Sequence, residues 1–221
     1  MTRKESGFVN MVITLFLVTF IASSALAFIY ELTKEPIAES KRLRKANAIS
    51  AVVPAFDNDP SSEVKKLSLK RDTLYFYPAR MGKEVTGIAV ETFTYSGFSG
   101  LIKLMVGFLP DGSIHDIAVL EHLETPGLGD RMEAGKSFDK ATGLSWSSQF
   151  RGKDPRYFSL KVKQDNGAVD AITAATISSR AYCDAVQRAF EGLLTMAGDL
   201  GLSPISDRTD SLDYEQYESV E

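Results

Sequence analysis

The chain has 221 residues, of which 44% are hydrophobic and 24% are charged, a composition typical of a globular protein. Its net charge is −4, from 25 Lys and Arg against 29 Asp and Glu, so it offers no basic surface and nucleic acid is excluded as a partner. Its single cysteine, Cys183, rules out an intrachain disulfide, a cysteine-ligated iron–sulfur cluster and a Cys-based zinc site. Redox chemistry would therefore need an organic cofactor or a different metal.

Residues 8–30 contain no charged side chain and predict a transmembrane helix. At about 1.5 Å per residue this helix extends roughly 35 Å, enough to cross the hydrocarbon core of a bilayer. Arg3 and Lys4 place residues 1–7 in the cytoplasm and the rest of the chain on the extracytoplasmic, periplasmic side of the cytoplasmic membrane. The basic residues 41–45 favour the opposite orientation, but a long folded domain is translocated largely regardless of flanking charge.

The sequence Ala25-Leu26-Ala27 resembles a signal-peptide cleavage site, so a cleaved signal is the alternative to an anchor. The apolar segment continues past this site and is longer than a usual signal core, which favours an uncleaved anchor.

Residues 31–54 are assigned to a helical connector, in which residues 35–53 predict a helix with Pro36 in its first turn and Pro54 marking its end. Its basic residues 41–45 are interpreted as a solvated face, with contact to membrane lipid as the alternative. Residues 55–200 are assigned to one folded domain. Residues 201–221 form an acidic tail that is expected to be disordered.

Within the folded domain, several short apolar runs are separated by turn residues and predict strands. The segments are 74–77, 87–94, 101–108 and 114–120, with a further hairpin from 157–163 to 167–171. The clearest helix covers residues 177–196, where alanine, valine, leucine and phenylalanine form one apolar stripe. The predicted fold class is α+β: an N-terminal transmembrane helix, then a domain with an antiparallel sheet and packed helices.

The segment from Asp170 to Ser179 joins a predicted strand to this helix and contains small residues and four hydroxyl groups. A helix N-terminus offers free backbone N–H groups and a positive dipole end, which suit a phosphate. The plainer alternative is that Thr173 or Thr176 only caps the helix.

The pattern Asp170-x-x-Thr173-x-Ala175-Thr176 resembles the flavinylation motif of FMN-binding domains. These domains occur in the G subunit of the Rnf complex and the C subunit of the sodium-translocating NADH:quinone oxidoreductase. The resemblance implies that Thr176 is bonded through its oxygen to the FMN phosphate, after a separate flavin transferase moves FMN from FAD. The family usually has glycine where this chain has Ala174, and the extra methyl group is expected to be tolerated.

Two further segments resemble the same family and follow in the family's order. One is Glu124-Thr125-Pro126-Gly127-Leu128-Gly129, whose glycines and proline predict a tight loop that can lie against a flat ring. The other is 98–102, with Val106-Gly107 and an Asp111-Gly112 hairpin turn downstream. Each alone is typical of an ordinary turn or hairpin.

The resemblance implies a set of FMN-binding residues in addition to the attachment site. They are Thr173, Ala175, Ser178, Ser179, Glu124, Thr125, Gly127, Leu128 and Gly129. The two serines are expected to donate hydrogen bonds to the phosphate, and Trp146 is expected to have a core or interface role. No metal site is predicted from Glu121, His122 and Glu124, since no second histidine is suitably spaced. No nucleophile arrangement indicates a hydrolase, and no catalytic residue is expected.

The implied function is that of a membrane-anchored electron carrier in an Rnf-type complex, in which electron flow between ferredoxin and NAD⁺ is coupled to ion movement. The short chain and single anchor favour the G subunit over the C subunit of the quinone reductase. The implied partners are the other subunits of the complex, a flavin transferase and membrane lipid. A membrane-tethered FMN sensor that passes no electrons on is a third hypothesis.

Overall fold

The computed structural model describes residues 7–70, 72–138 and 143–202. The predictions for the cytoplasmic residues 1–6 and for the acidic tail beyond residue 202 lie outside this part of the chain. The chain divides into two compact units, residues 1–45 and residues 46–221.

A single helix, α1 (Phe8–Val52, 45 residues), begins in the first unit and ends in the second. Its N-terminal part is long and apolar enough to cross a membrane. The prediction that Pro36 opens a separate connector helix is wrong, because Pro36 lies inside α1. A proline removes only one backbone hydrogen bond from a helix. The helical turns before and after Pro36 keep theirs, so α1 continues through this position.

The second unit contains an antiparallel sheet of five strands in sequence order, which confirms the predicted α+β class. The strands are β1 (Lys65–Ser68), β2 (Thr73–Met81), β3 (Glu84–Gly97), β4 (Gly100–Phe108) and β5 (Ile114–His122). Strands β2 to β5 contain the four predicted segments and extend beyond most of their ends. Strand β1 has no clear sequence signal, because it is short, mostly exposed and rich in lysine.

One face of the sheet packs against α2 (Thr176–Met196), which confirms the predicted long helix. Alternate residues of β3 and β4, including Val90 and Val106, meet the alanine and leucine stripe of α2 in the main core. The Thr92 hydroxyl donates a hydrogen bond of 2.9 Å to the Ala185 carbonyl, so β3 and α2 are also held by a polar contact.

The opposite face of the sheet is covered by the last turns of α1, through Ile49 and Val52 among others. Gly107 of β4 lies directly under the end of this helix, since a Cβ built on it would stand 1.7 Å from the Val52 carbonyl oxygen. The Nδ1 atom of His115 contacts the same oxygen at 3.0 Å and fixes its position.

The predicted hairpin from 157–163 to 167–171 is wrong. Only an isolated parallel bridge joins Val162 to Val169, and the chain between them makes a 3-10 helix, Lys163–Asp165, followed by Asn166 in a left-handed conformation. Gly167 packs so closely on the backbone of residue 161 that a Cβ there would clash at 2.0 Å. The apolar residues of this region have the sequence pattern of a strand, but in the structure they are buried in a tight loop.

Cys183 lies on the buried face of α2, and burial raises the pKa of its thiol to about 12. The unfolded thiol ionises near its ordinary value of 9.0, so the folded state binds more protons between these values and stability falls as the pH rises through them. Cys183→Ala is expected to flatten this alkaline decline by up to about 1.4 kcal/mol per pH unit. Urea unfolding of the full chain in detergent at pH 8 to 11 measures it, and equal slopes for wild type and variant would contradict it.

Candidate functional site

Three segments that are distant in the sequence meet at the carboxylate of Glu124, just after β5. The Ser178 hydroxyl, in the first turn of α2, donates a hydrogen bond of 2.6 Å to Glu124 Oε2. The backbone N–H of Ser99, in the turn between β3 and β4, donates to Oε1 at 3.3 Å. The three segments that carry the family resemblance therefore lie side by side.

Thr176 is the first residue of α2 and is half-buried. Its hydroxyl makes no hydrogen bond with any residue in the described part of the chain. The position before it, Ala175, is buried, and no side chain caps the helix. The alternative interpretation that Thr173 or Thr176 serves as the cap is therefore wrong. The free N–H groups of the first turn and the positive end of the helix dipole remain for an anion.

The hydroxyls of the two serines after Thr176 are used inside the protein. Ser178 donates to Glu124, and Ser179 donates to the Ala175 carbonyl at 3.0 Å while accepting the Ile172 N–H at 2.9 Å. Both serines are buried. The two hydroxyls that are predicted to donate to a phosphate are therefore already engaged. The backbone N–H of Ser178 has no partner among the described residues and can take that role, whereas the N–H of Ser179 donates to the Ala175 carbonyl.

The segment before Thr176 is held by a side-chain clamp that no sequence motif indicates. Gln149 bonds both backbone groups of Asp170: its Oε1 accepts the N–H at 2.8 Å and its Nε2 donates to the carbonyl at 3.3 Å. The indole N–H of Trp146 donates to the same carbonyl at 2.6 Å, and its ring packs on Tyr182. The predicted core role of Trp146 is thus combined with a hydrogen bond that positions residues 170–175.

Ala174 has a φ of 63°, in the left-handed region where a Cβ is strained. Glycine adopts this conformation without strain. The methyl group itself is exposed, so the cost lies in the backbone and not in packing. The chain between Thr173 and Thr176 needs this reversal to enter α2.

Ala174→Gly is expected to stabilise the protein by about 0.5–1 kcal/mol, because it removes the strain of a left-handed alanine at the expense of unfolded-chain entropy. Thermal unfolding of the full chain in detergent measures this as a raised Tm. Ala134→Gly is the matched control, since Ala134 is exposed and has no positive φ, and it should leave Tm equal or lower. An Ala174→Gly protein with a lowered Tm would contradict the assignment.

The loop from Thr125 to Gly129 forms the tight turn that its composition predicts. The N–H of Leu128 donates to the Thr125 carbonyl at 3.1 Å, and Gly127 between them has a φ of 79°. Thr125, Gly127 and Leu128 are exposed, while Gly129 is buried against Glu124 and Ser178. The exposed side of the turn is therefore free to contact a ligand.

Each of the three segments also presents an exposed apolar side chain. They are Phe98 of the β3–β4 turn, Leu123 and Leu128 beside Glu124, and Ile177 in the first turn of α2. Exposed aromatic and aliphatic side chains next to a polar helix N-terminus suit a ligand that has a flat apolar ring and a phosphate.

His122, the last residue of β5, forms hydrogen bonds with Glu124 of the site and with Glu133. Its Nδ1 accepts the Glu124 N–H at 3.1 Å, so its Nε2 carries the proton and donates to Glu133 at 2.7 Å. Burial acts to raise the pKa of Glu133, but the hydrogen bonds from His122 and Lys136 outweigh it and hold that pKa below its ordinary value. Among residues 7–70, 72–138 and 143–202, no group of three His, Cys, Asp or Glu side chains could hold a metal ion.

Comparison with known proteins places this site in a known domain. Residues 97–191 match the family model described as the FMN-binding domain. This range includes Glu124, Thr176 and the turn between β3 and β4.

Curated relatives from three organisms match over most of the chain, and each of these three is named as the G subunit of an ion-translocating oxidoreductase complex. The protein from Shewanella amazonensis is 35% identical, over 76% of this chain and 80% of its own length. The protein from Yersinia pestis is 34% identical, over 87% of this chain and 93% of its own length. The protein from Cereibacter sphaeroides is 32% identical, over 78% of each chain. The chain therefore belongs to the family of G subunits of ion-translocating oxidoreductase complexes.

Proposed function

We propose that this chain is a membrane-anchored electron-transfer subunit of an ion-translocating oxidoreductase complex and that it carries FMN covalently on Thr176. The observation that carries the proposal is the position of Thr176 within the matched FMN-binding domain. Its unengaged hydroxyl stands at the uncapped start of α2, beside exposed apolar side chains.

The start of α2 fits an FMN phosphate. The first turn of the helix contains no acidic residue of its own, and the nearby Glu124 carboxylate already accepts hydrogen bonds from Ser178 and Ser99, which reduces its repulsion of the anion. The backbone N–H groups of Thr176, Ile177 and Ser178 would bind phosphate oxygens. Asp170, the acid nearest in sequence, is paired with Lys163 at 2.7 Å, which reduces its repulsion of the phosphate.

Attachment on Thr176 requires one bond exchange, which we assign to a separate flavin transferase. The Thr176 oxygen bonds to the FMN phosphorus of FAD, AMP leaves, and the hydroxyl proton is released. A phosphoester tether keeps the cofactor on the protein at high effective concentration.

The exposed side of the turn from Thr125 to Gly129, together with Phe98 and Ile177, would pack on the flavin ring. Bound FMN supplies the ability to accept and release electrons. The chain's own residues hold the phosphate, orient the ring and exclude water from part of it. Holding and orienting the flavin in this way needs no catalytic acid or base on the chain.

The folded unit is assigned to the extracytoplasmic side of the cytoplasmic membrane, with residues 8–30 in contact with lipid. The tether supports this assignment, because FMN released outside the cytoplasm would be lost. The partners are assigned as the membrane and peripheral subunits of a ferredoxin:NAD⁺ complex of the Rnf type.

The test is to solubilise the native membrane mildly, isolate the tagged full chain and identify the subunits that come with it. Ferredoxin-coupled and NAD-coupled subunits are expected, and the bound flavin should be reduced when the complex receives electrons. Recovery with the subunits of a sodium-pumping quinone reductase would reassign the chain to that complex. A flavin that stays oxidised while the complex turns over would make the chain a tethered FMN-binding module instead.

A further inference from the structure

Glu124 is a buried carboxylate, only 5% exposed, that has no basic partner among the residues that the structure describes. The ion pairs of the described residues do not include it. Burying a charge without a counter-charge is costly unless hydrogen bonds compensate it. At Glu124 both oxygens accept protein hydrogen bonds, from the Ser178 hydroxyl and the Ser99 backbone N–H.

Two glycines allow the backbone to approach the two oxygens of this carboxylate closely. A Cβ built on Gly97 would stand 2.5 Å from Glu124 Oε1, and one built on Gly129 would stand 2.6 Å from Oε2. Any other residue at either position would therefore press on the carboxylate. The surroundings of Glu124 are shaped for its two oxygens, which leaves little space for a ligand to reach them directly.

We infer that Glu124 is a positioning residue for the flavin ring rather than a direct contact of FMN. It joins the turn that carries Phe98 and the loop that carries Leu128 to the first turn of α2. It thereby sets where the ring-contacting side chains lie relative to Thr176. The identity of the ligand rests on the proposed function. The junction of the three segments rests only on the hydrogen bonds of Glu124.

In an ordinary binding site, the amount of bound flavin and the position of its ring depend on the same contacts. A covalent tether makes the amount of flavin independent of the contacts that position the ring. Loss of the Glu124 junction leaves Thr176 and its hydroxyl in place, so flavin stays attached. The ring then loses its fixed neighbours and becomes more mobile and more exposed to water. The change should appear in the ring's fluorescence and potential, and not in the amount of flavin.

The experiment compares Glu124→Gln and Ser178→Ala with wild type in the full chain, expressed with the flavin transferase. A glutamine amide accepts from only one of the two donors and can bond Ser178 only if the hydroxyl reverses to accept, so Glu124→Gln replaces charge-assisted hydrogen bonds by weaker neutral ones. Ser178→Ala removes one donor while keeping the charge. Both variants should retain covalent flavin at about the wild-type level. In both, flavin fluorescence should rise about twofold or more, and the midpoint potential should move toward that of free FMN. Glu121→Gln, an exposed acid three residues away, is the matched control and should change neither.

A second measurement does not depend on flavin. In Thr176→Ala protein, which is expected to carry none, amide hydrogen exchange of residues 125–129 should accelerate about tenfold when Glu124→Gln is added, as expected for loss of a hydrogen bond to a buried charge. Unchanged exchange in that protein, together with unchanged fluorescence and potential in both flavin-carrying variants, would overturn the inference. A potential shift in Glu124→Gln alone would also overturn it, because charge and not position would then be the cause. Absence of flavin from wild type would instead refute the proposed function and leave the exchange result to decide the junction.

Discussion

Thr176→Ala is expected to yield a folded protein with no covalent flavin. The Thr176 hydroxyl is the proposed attachment group, and the nearby serine hydroxyls cannot replace it, because Ser178 and Ser179 are buried and engaged. Because the Thr176 hydroxyl makes no hydrogen bond with a described residue, its loss should change the free energy of unfolding by only about 0.5 kcal/mol. Flavin fluorescence of the denatured protein band in a gel measures attachment, and thermal unfolding measures the fold.

Thr173→Ala is the matched control. Thr173 is exposed, precedes Thr176 by three residues and also has no hydrogen-bond partner among the described residues. It should keep its fluorescent band. Thr176→Ser should keep the band as well, because it retains the hydroxyl. Fluorescence that survives Thr176→Ala and disappears in Thr173→Ala would contradict the site assignment.

Gly107→Ala is expected to destabilise the protein by about 3 kcal/mol, because the added methyl group has no space. The new Cβ would stand 1.7 Å from the Val52 carbonyl oxygen, which is backbone and cannot rotate away. His115 holds that oxygen at 3.0 Å, so moving the end of α1 would break this hydrogen bond too. Denaturant unfolding of the full chain in detergent measures the loss.

Gly198→Ala provides the comparison, because a Cβ there meets nothing within 4 Å and Gly198 has no positive φ. Its unfolding free energy should stay within about 0.5 kcal/mol of wild type. A Gly107→Ala protein as stable as Gly198→Ala would show that the end of α1 does not pack on β4 in this way.

The sheet and α2 are predictable because their signals are local. The apolar runs on either side of the Asp111-Gly112 turn predict β4 and β5, and the apolar stripe predicts α2. The region around Val162 and Val169 misleads because a short apolar run carries the same signal whether it forms a strand or a buried loop. Pro36 is assigned to a helix start from the sequence because proline is common in the first turn of a helix. Nothing in the neighbouring sequence indicates that it lies inside a longer helix.

The site shows the same division between local and long-range information. Short motifs indicate Thr176 and the Thr125–Gly129 turn. The contact of Glu124 with Ser178 joins residues 54 positions apart, and the clamp of Gln149 on Asp170 spans 21. Neither contact has a spacing that a single sequence reveals. The left-handed Ala174 likewise becomes visible only in the backbone conformation.

The most direct test of the covalent site is tandem mass spectrometry of the protein taken from its native membrane. Trypsin releases one peptide, residues 164–180, that contains both Thr173 and Thr176. We predict a mass increase equal to FMN minus water on this peptide, with the fragment ions placing it on Thr176. Placement on Thr173, or an unmodified peptide from cells that possess the flavin transferase, would contradict the account.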